Sequence, residues 1–256
     1  NLQKEQGRLT SGEADYWKEK IGNLQEYQYG YHKGWSMILD TLTWPVLIMM
    51  LICIGIAPIF AGEYQSKCDS LILCMKYGRS KLILAKIISG WLYATGVYWG
   101  ITLVYSSVYM IFLGTQGADL PIQLKYPAMS VGYNLTMGEA VGITLLLGYF
   151  FTLGIMGITL FMSALLKNTY AVIIIAFLLI IIPTFLSPDT GGYAWSHVLS
   201  LLPPKIADFS FQSYTAYSIG NIVLSWPVMA ILINAIVAVI CSVLGYIVFR
   251  KHQVNK

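Results

Sequence analysis

The chain has 256 residues, of which 57% are hydrophobic and only 11% charged, and its formal net charge is +4. Soluble domains carry about 25% charged residues, so a chain this apolar, with a mean hydropathy of +0.65, cannot face water on every side. The charge is too mild for the basic footprint of a nucleic-acid-binding protein, and it is gathered in clumps between long uncharged runs, which points to a membrane.

Residues 1–35 are the one substantial polar stretch. Thr10-Ser11-Gly12-Glu13 reads as a capping box, in which the threonine accepts from the Glu13 amide and the glutamate reaches back. It predicts a short amphipathic helix from Ala14 to Leu24. Tyr27, Tyr29, Tyr31, His32 and Trp35 follow, an aromatic cluster of the kind that settles in the headgroup layer. No apolar core of a cleavable signal peptide is visible here.

Five apolar stretches then approach or exceed the ~20 residues needed to cross a bilayer: 41–61, 87–113, 140–166, 169–187 and 222–249. Pro183 is expected to kink or stop the fourth. Asn234 is the most polar residue in the fifth, and a hydrogen bond to a neighbouring helix accounts for it. Gly138 and Gly142 have the spacing of close helix packing. Asp40 and Glu139 sit near helix ends and read as boundary charges.

Between the first two stretches, Tyr64, Cys68, Leu71, Ile72 and Met75 recur at helical spacing as one apolar stripe, with Lys67, Asp69 and Lys76 away from it. This predicts a short amphipathic helix over 64–76, ended by Gly78. Arg79, Lys81 and Lys86 then open the next helix, where they also suit headgroup anchoring.

Orientation follows from the basic residues in short loops. The side that holds 62–86, Lys167 and 250–256 carries nine basic and two acidic residues, net +7; the remaining seven basic and ten acidic residues give −3. The first side, with the C-terminus, is therefore expected to be cytoplasmic. Residues 188–221 fall on the other side. Pro188, Gly191, Gly192, Pro203 and Pro204 punctuate them, and Tyr193, Trp195, Phe209, Phe211, Tyr214 and Tyr217 are too many rings for a solvated linker. An outer lid of short pieces is the expectation.

The order of these elements resembles the ABC-2-type permeases, the membrane-spanning subunits of ABC exporters. The likeness rests on Phe60, Glu63, Tyr64, Gly78, Arg79, Lys81 and Lys86 around the short helix, on the turn from Leu160 to Ala171, and on the closing Val248-Phe-Arg-Lys-His. It covers about 36–256. It implies an all-α membrane protein: a six-helix permease that lacks its first span here, leaving five. The 64–76 segment would be the cytoplasmic coupling helix, and 1–35 the end of an extracytoplasmic domain.

The likeness further implies that Glu63, Tyr64, Lys67, Leu71, Met75, Arg79 and Lys81 couple the chain to a separate P-loop ATPase. ATP and magnesium would be held by that partner, with no cofactor on this chain. A second permease copy or a homologous permease would complete the transporter in a bacterial plasma membrane. The pathway would be lined by the first and fourth stretches, with Leu47, Ile48, Leu51 and Ile54 facing Ile173, Ile174, Phe177 and Ile181. Such aliphatic walls suit a lipid or an amphipathic cargo such as a peptide antibiotic, and hence a role in antimicrobial peptide resistance.

Other chemistries lack their residues. The sequence contains no phosphate-cradling Gly-x-x-x-x-Gly-Lys-[Ser/Thr], no His-Glu-x-x-His and no Gly-x-Ser-x-Gly. His32, His197 and His252 are scattered, and Cys53, Cys68, Cys74 and Cys241 have no metal-ligand spacing; reduced, packing thiols are expected. An intramembrane enzyme would need polar groups converging at one depth. A non-transporting anchor or sensor subunit is the other reading the composition allows.

Overall fold

The computed structural model describes residues 15, 17–18, 29–41, 44–68, 74–75, 77–78, 80–126, 131–186, 192–208, 211, 215–219 and 222–251. Over these the chain is mostly helical. Helices α1 (Lys33–Asp40), α2 (Trp44–Ile56), α3 (Pro58–Gln65), α4 (Lys81–Leu113), α5 (Met137–Leu165) and α6 (Thr169–Phe185) come first. They are followed by α7 (Gly192–Leu199), a 3-10 turn at Pro203–Asp208, strands β1 (Ala216–Ile219) and β2 (Ile222–Ser225), and α8 (Trp226–Lys251).

Among the described residues, four helical segments are long and apolar enough to cross a membrane: Pro45–Gln65, Lys81–Leu113, Met137–Leu165 and Trp226–Lys251. Apolar α6 is shorter at 17 residues, about 25 Å at 1.5 Å per residue.

Helix α5 is the centre, packed against α1, α2, α3, α4, α6 and α8. Its most extensive neighbour is α8, and small residues explain why. A Cβ on Gly157 would stand 2.8 Å from Ala238 Cα, and one on Gly154 would stand 2.5 Å from Asn234 Oδ1. Small residues let helix backbones approach where side chains would hold them apart. The expected close pair Gly138 and Gly142 does not serve this purpose. Gly142 has open space where a Cβ would go, and Gly138 lies only against Ala118.

The ends of α5 and α6 are set by local chemistry. Thr136 and Glu139 form a capping box at the start of α5: the Glu139 amide donates to Thr136 Oγ1 at 3.2 Å, and the Thr136 amide donates to Glu139 Oε2 at 2.9 Å. Glu139 is therefore a helix cap rather than only a boundary charge. Asn168 caps α6 by accepting from the Tyr170 amide at 2.9 Å. Pro183 falls in the last turn of α6, which ends two residues later.

Several expected boundaries shift. The last apolar stretch begins four residues late as a helix, because 222–225 is strand β2, paired antiparallel with β1 from Ala216↔Ser225 to Ile219↔Ile222. This two-stranded hairpin is a small addition to a mostly helical fold; β-branched Ile222 and Val223 favour the extended chain. Helix α4 starts at Lys81, six residues before its apolar stretch, so Lys81 and Lys86 open it as expected. The predicted 64–76 helix does not start at Tyr64. That residue belongs to α3, which closes at Gln65, and Ser66 and Lys67 turn the chain, with Lys67 at φ 56°. Residues 69–73, 76 and 79, including Leu71 and Arg79, lie outside the described residues, as does most of 1–28. Of the predicted 14–24 helix, positions 15, 17 and 18 are described and helical. Trp17 is fully buried there, edge-on to Tyr133 at 5.0 Å.

Candidate coupling site and pathway

The helix ends that carry the sequence-predicted coupling residues meet at one pole, rich in lysine and arginine. Pro58 explains the local geometry. A proline has no N–H to donate within a helix, so the apolar Pro45–Gln65 segment breaks at Ala57. Proline then suits the first position of the new helix. The break leaves backbone groups that need partners when buried. Ser163 of α5 supplies them: its Oγ donates to Ala57 O at 2.7 Å and accepts from the amides of Phe60 at 3.0 Å and Ala61 at 3.1 Å.

Beyond the break, α3 is moored on three sides. Lys86 of α4 pairs with Glu63 and also donates to Ile59 O at 2.9 Å. Tyr64 OH donates to Ala164 O of α5 at 3.1 Å, and Gln65 Nε2 donates to Asn168 Oδ1 at 3.1 Å. Phe60 and Tyr64 both pack on Phe249 of α8, with ring centroids 4.6 and 5.5 Å apart. The carboxylate of Glu63 is mostly enclosed, as is Lys86. Lys67, Met75, Lys81, Lys167, Arg250 and Lys251 are exposed at the same pole. Of the predicted coupling residues, then, Glu63 and Tyr64 face into the bundle, while Lys67, Met75 and Lys81 face out. Lys81 lies 4.7 Å over the ring of Tyr77.

The predicted pathway residues sit on two neighbouring helices, α2 and α6. Leu47, Leu51 and Ile54 form one outward stripe of α2, each about half exposed, and Ile174 and Ile181 are exposed on α6. Ile173 and Phe177 are partly covered, and Ile48 is buried against α4 and α5 residues. Within one chain the exposed members of this set lie on the outer surfaces of two neighbouring helices.

At the opposite pole the connections are packed. Leu199, Ile206, Phe211 and Ala216 are buried, and Pro203–Asp208 lies against α2, α5 and α6. Asn234 Nδ2 donates to Leu201 O at 3.3 Å and to Ala230 O at 2.9 Å, and Trp226 Nε1 donates to Ser200 O at 3.2 Å. Asn234 stands eight residues into α8, about 12 Å from its start. The 199–206 chain thus dips into the bundle, and the polar residue expected to bond a neighbouring helix bonds this re-entrant backbone. Lys205, itself buried, donates to Leu186 O at the end of α6 at 2.7 Å. Lysine commonly satisfies the last carbonyls of a helix in this way. Trp195 is exposed, and Tyr193, Phe209 and Tyr214 are outside the described side chains.

Helix α1 is tied to the same pole. Lys125 donates to Ser36 O at 2.8 Å and pairs with Asp40 at 2.5 Å, so Asp40 is a partnered charge. Burial pushes the Lys125 ammonium below the usual lysine range, and Asp40 partly offsets this. Trp35 Nε1 donates to Thr115 O at 3.0 Å.

Thr136 has a signal in the sequence, because Thr136-Met-Gly-Glu139 repeats the capping pattern noted at Thr10. Pro58 marks a break in its apolar run but does not point to Ser163. Among the described residues no cluster of three or more His, Cys, Asp or Glu side chains is placed to hold a metal, and all four cysteines are free thiols.

A family model described as a protein of unknown function, DUF2705, matches residues 19–254. The chain belongs to that family. No curated protein and no solved structure matches it. The match takes in both poles and helices α1 to α8.

Proposed function

We propose that this DUF2705 protein is the permease subunit of an ATP-driven exporter: a multi-pass plasma-membrane protein whose partner ATPase docks at the basic pole. The observation that carries this reading is the Glu63–Lys86 pair. It clamps the helix that precedes residues 66–80 to the helix that follows them, so both ends of that segment are held on a fixed stem of two apolar helices. A segment that must convey force from a soluble partner needs such a base, and the same stem is joined to α5 and α8 through Tyr64, Ser163 and Phe249.

In this reading α6 is the fifth span, and the basic pole with the C-terminus faces the cytoplasm, following the bias of lysine and arginine toward that side. The open α2–α6 face is half of a pathway, completed by a second copy or a homologous permease. Its aliphatic stripe suits a lipid or an amphipathic peptide, and the re-entrant segment closes the outer exit. The buried hydroxyls of Thr152, Thr159 and Ser163 donate to backbone carbonyls, an architectural use that favours transport over intramembrane chemistry. ATP-dependent movement of an amphipathic fluorescent peptide or lipid in vesicles holding the chain and its copurified ATPase tests the reading. Movement that does not depend on ATP would count against it.

A further inference from the structure

We propose that Ser163 is the fulcrum of a hinge at Ala57–Pro58, about which the Pro58–Gln65 helix turns as a unit. The inference rests on the permease reading for its purpose and on the geometry for its existence. A serine hydroxyl offers one donor and two acceptor positions. Ser163 uses all three on one site: Ala57 O, the Phe60 amide and the Ala61 amide. In an unbroken helix the Phe60 and Ala61 amides would bond within the same chain segment, to the carbonyls four residues back. Here one side chain from another helix holds both sides of the break, and it is fully shielded from solvent. Three bonds that share one atom are made and lost together, which concentrates bending at this point.

The lever on the far side is short and well held. Helix α3 has eight residues, about 12 Å in length. It bears Glu63, Tyr64 and Phe60, which reach α4, α5 and α8, and it leads directly into the 66–80 segment. A pull on the chain at the Ser66–Lys67 turn therefore turns α3 about Ser163 and draws the ends of three other helices with it, while α2 keeps its own packing through Met49, Ile52 and Cys53. Ser163 is a positioning residue in this scheme.

The test uses the full chain in lipid nanodiscs and reads backbone amide exchange by mass spectrometry, with no ATPase or cargo present. Ser163→Ala should speed exchange at 59–62 by about tenfold, the loss of roughly one net hydrogen bond, and leave 48–53 unchanged. Pro58→Ala restores the missing donor and the regular helix. In that background Ser163→Ala should change exchange at 59–62 by less than about threefold. If Ser163→Ala alone gives no folded protein, the Pro58→Ala/Ser163→Ala pair should recover it. An equal effect of Ser163→Ala with and without Pro58, no effect at all, or a double variant that also fails to fold would overturn the hinge. Because these arms need no partner, a missing ATPase would refute the permease reading and leave the hinge result standing. With an ATPase present, Ser163→Ala should lower cargo moved per ATP hydrolysed.

Discussion

Gly154 of α5 leaves the space that the Asn234 carboxamide of α8 fills: a Cβ on Gly154 would stand 2.5 Å from Asn234 Oδ1. Asn234 in turn holds Leu201 O, so one missing side chain positions the re-entrant segment. Gly154→Ala should destabilise the fold by about 1–3 kcal/mol, the usual range for overpacking. Asn234→Ala should relieve part of that in the double variant. Thermal unfolding followed by circular dichroism in detergent gives both numbers. Strict additivity would mean the two residues do not share this space.

Gly157 and Gly142, both on α5, make a matched pair of controls in different surroundings. At Gly157 a methyl group meets backbone, with Ala238 Cα at 2.8 Å and Ala238 O at 2.9 Å, whereas Gly142 has open space. Backbone cannot rotate away as a side chain can. Gly157→Ala should therefore lower the melting temperature clearly, and Gly142→Ala should leave it unchanged or slightly raised, since alanine is favoured over glycine in a helix by about 1 kcal/mol. Equal effects would contradict the α5–α8 packing described.

The Glu63–Lys86 pair is mostly enclosed, with side-chain exposures of 15% and 23%. Removing one partner leaves a charge without its counterpart. Lys86→Met should cost about 1–3 kcal/mol, below the full range for a completely buried pair because water still reaches both groups. Glu63→Gln combined with Lys86→Met should be milder than Lys86→Met alone, and the exchanged pair Glu63→Lys/Lys86→Glu should recover part of the stability. A double variant worse than either single one would remove the clamp from the account.

Much of the architecture was legible because hydrophobic runs are a strong signal. The long helices fall close to the stretches read from the sequence, and the Leu166–Asn168 turn lies inside the predicted Leu160–Ala171 turn. What the sequence did not yield is pairing at a distance. Ser163 lies 105 positions from Pro58, and nothing local marks a serine near the end of an apolar helix as the partner of a proline elsewhere. Asn234 was read as bonding another helix because periodicity has no means of representing an irregular segment that dips between helices. Strand β2 was absorbed into the last apolar stretch because Ile222, Val223 and Leu224 fit a strand and a buried helix equally well by hydropathy.

The outer segment should behave as a packed lid. Ile206, Phe211 and Ala216 are buried in the same cluster as Met49, Ile180 and Phe151. Replacing 193–217 with a glycine-serine linker should abolish transport and expose that cluster to dye binding. A replacement that transports as well as the original would end the gating role.

Sidedness has a direct check. A Lys81→Cys variant, in a background with Cys68 and Cys74 replaced by serine, should react with a membrane-impermeant maleimide only after the cells are opened. Labelling of intact cells at position 81 would reverse the orientation proposed here.

The central claim is that a P-loop ATPase docks at the 66–80 segment, whose ends are held by Glu63 and Lys86. The most direct measurement is purification of the tagged full chain from its native membranes in mild detergent, with bound proteins identified and quantified by mass spectrometry. The account predicts an ATP-hydrolysing P-loop protein in near-stoichiometric amount. It should be lost when residues 68–77 are replaced by a glycine-serine linker in a chain that still folds. Recovery of the chain with no ATPase, or with an ATPase that stays bound after the loop is replaced, would contradict it.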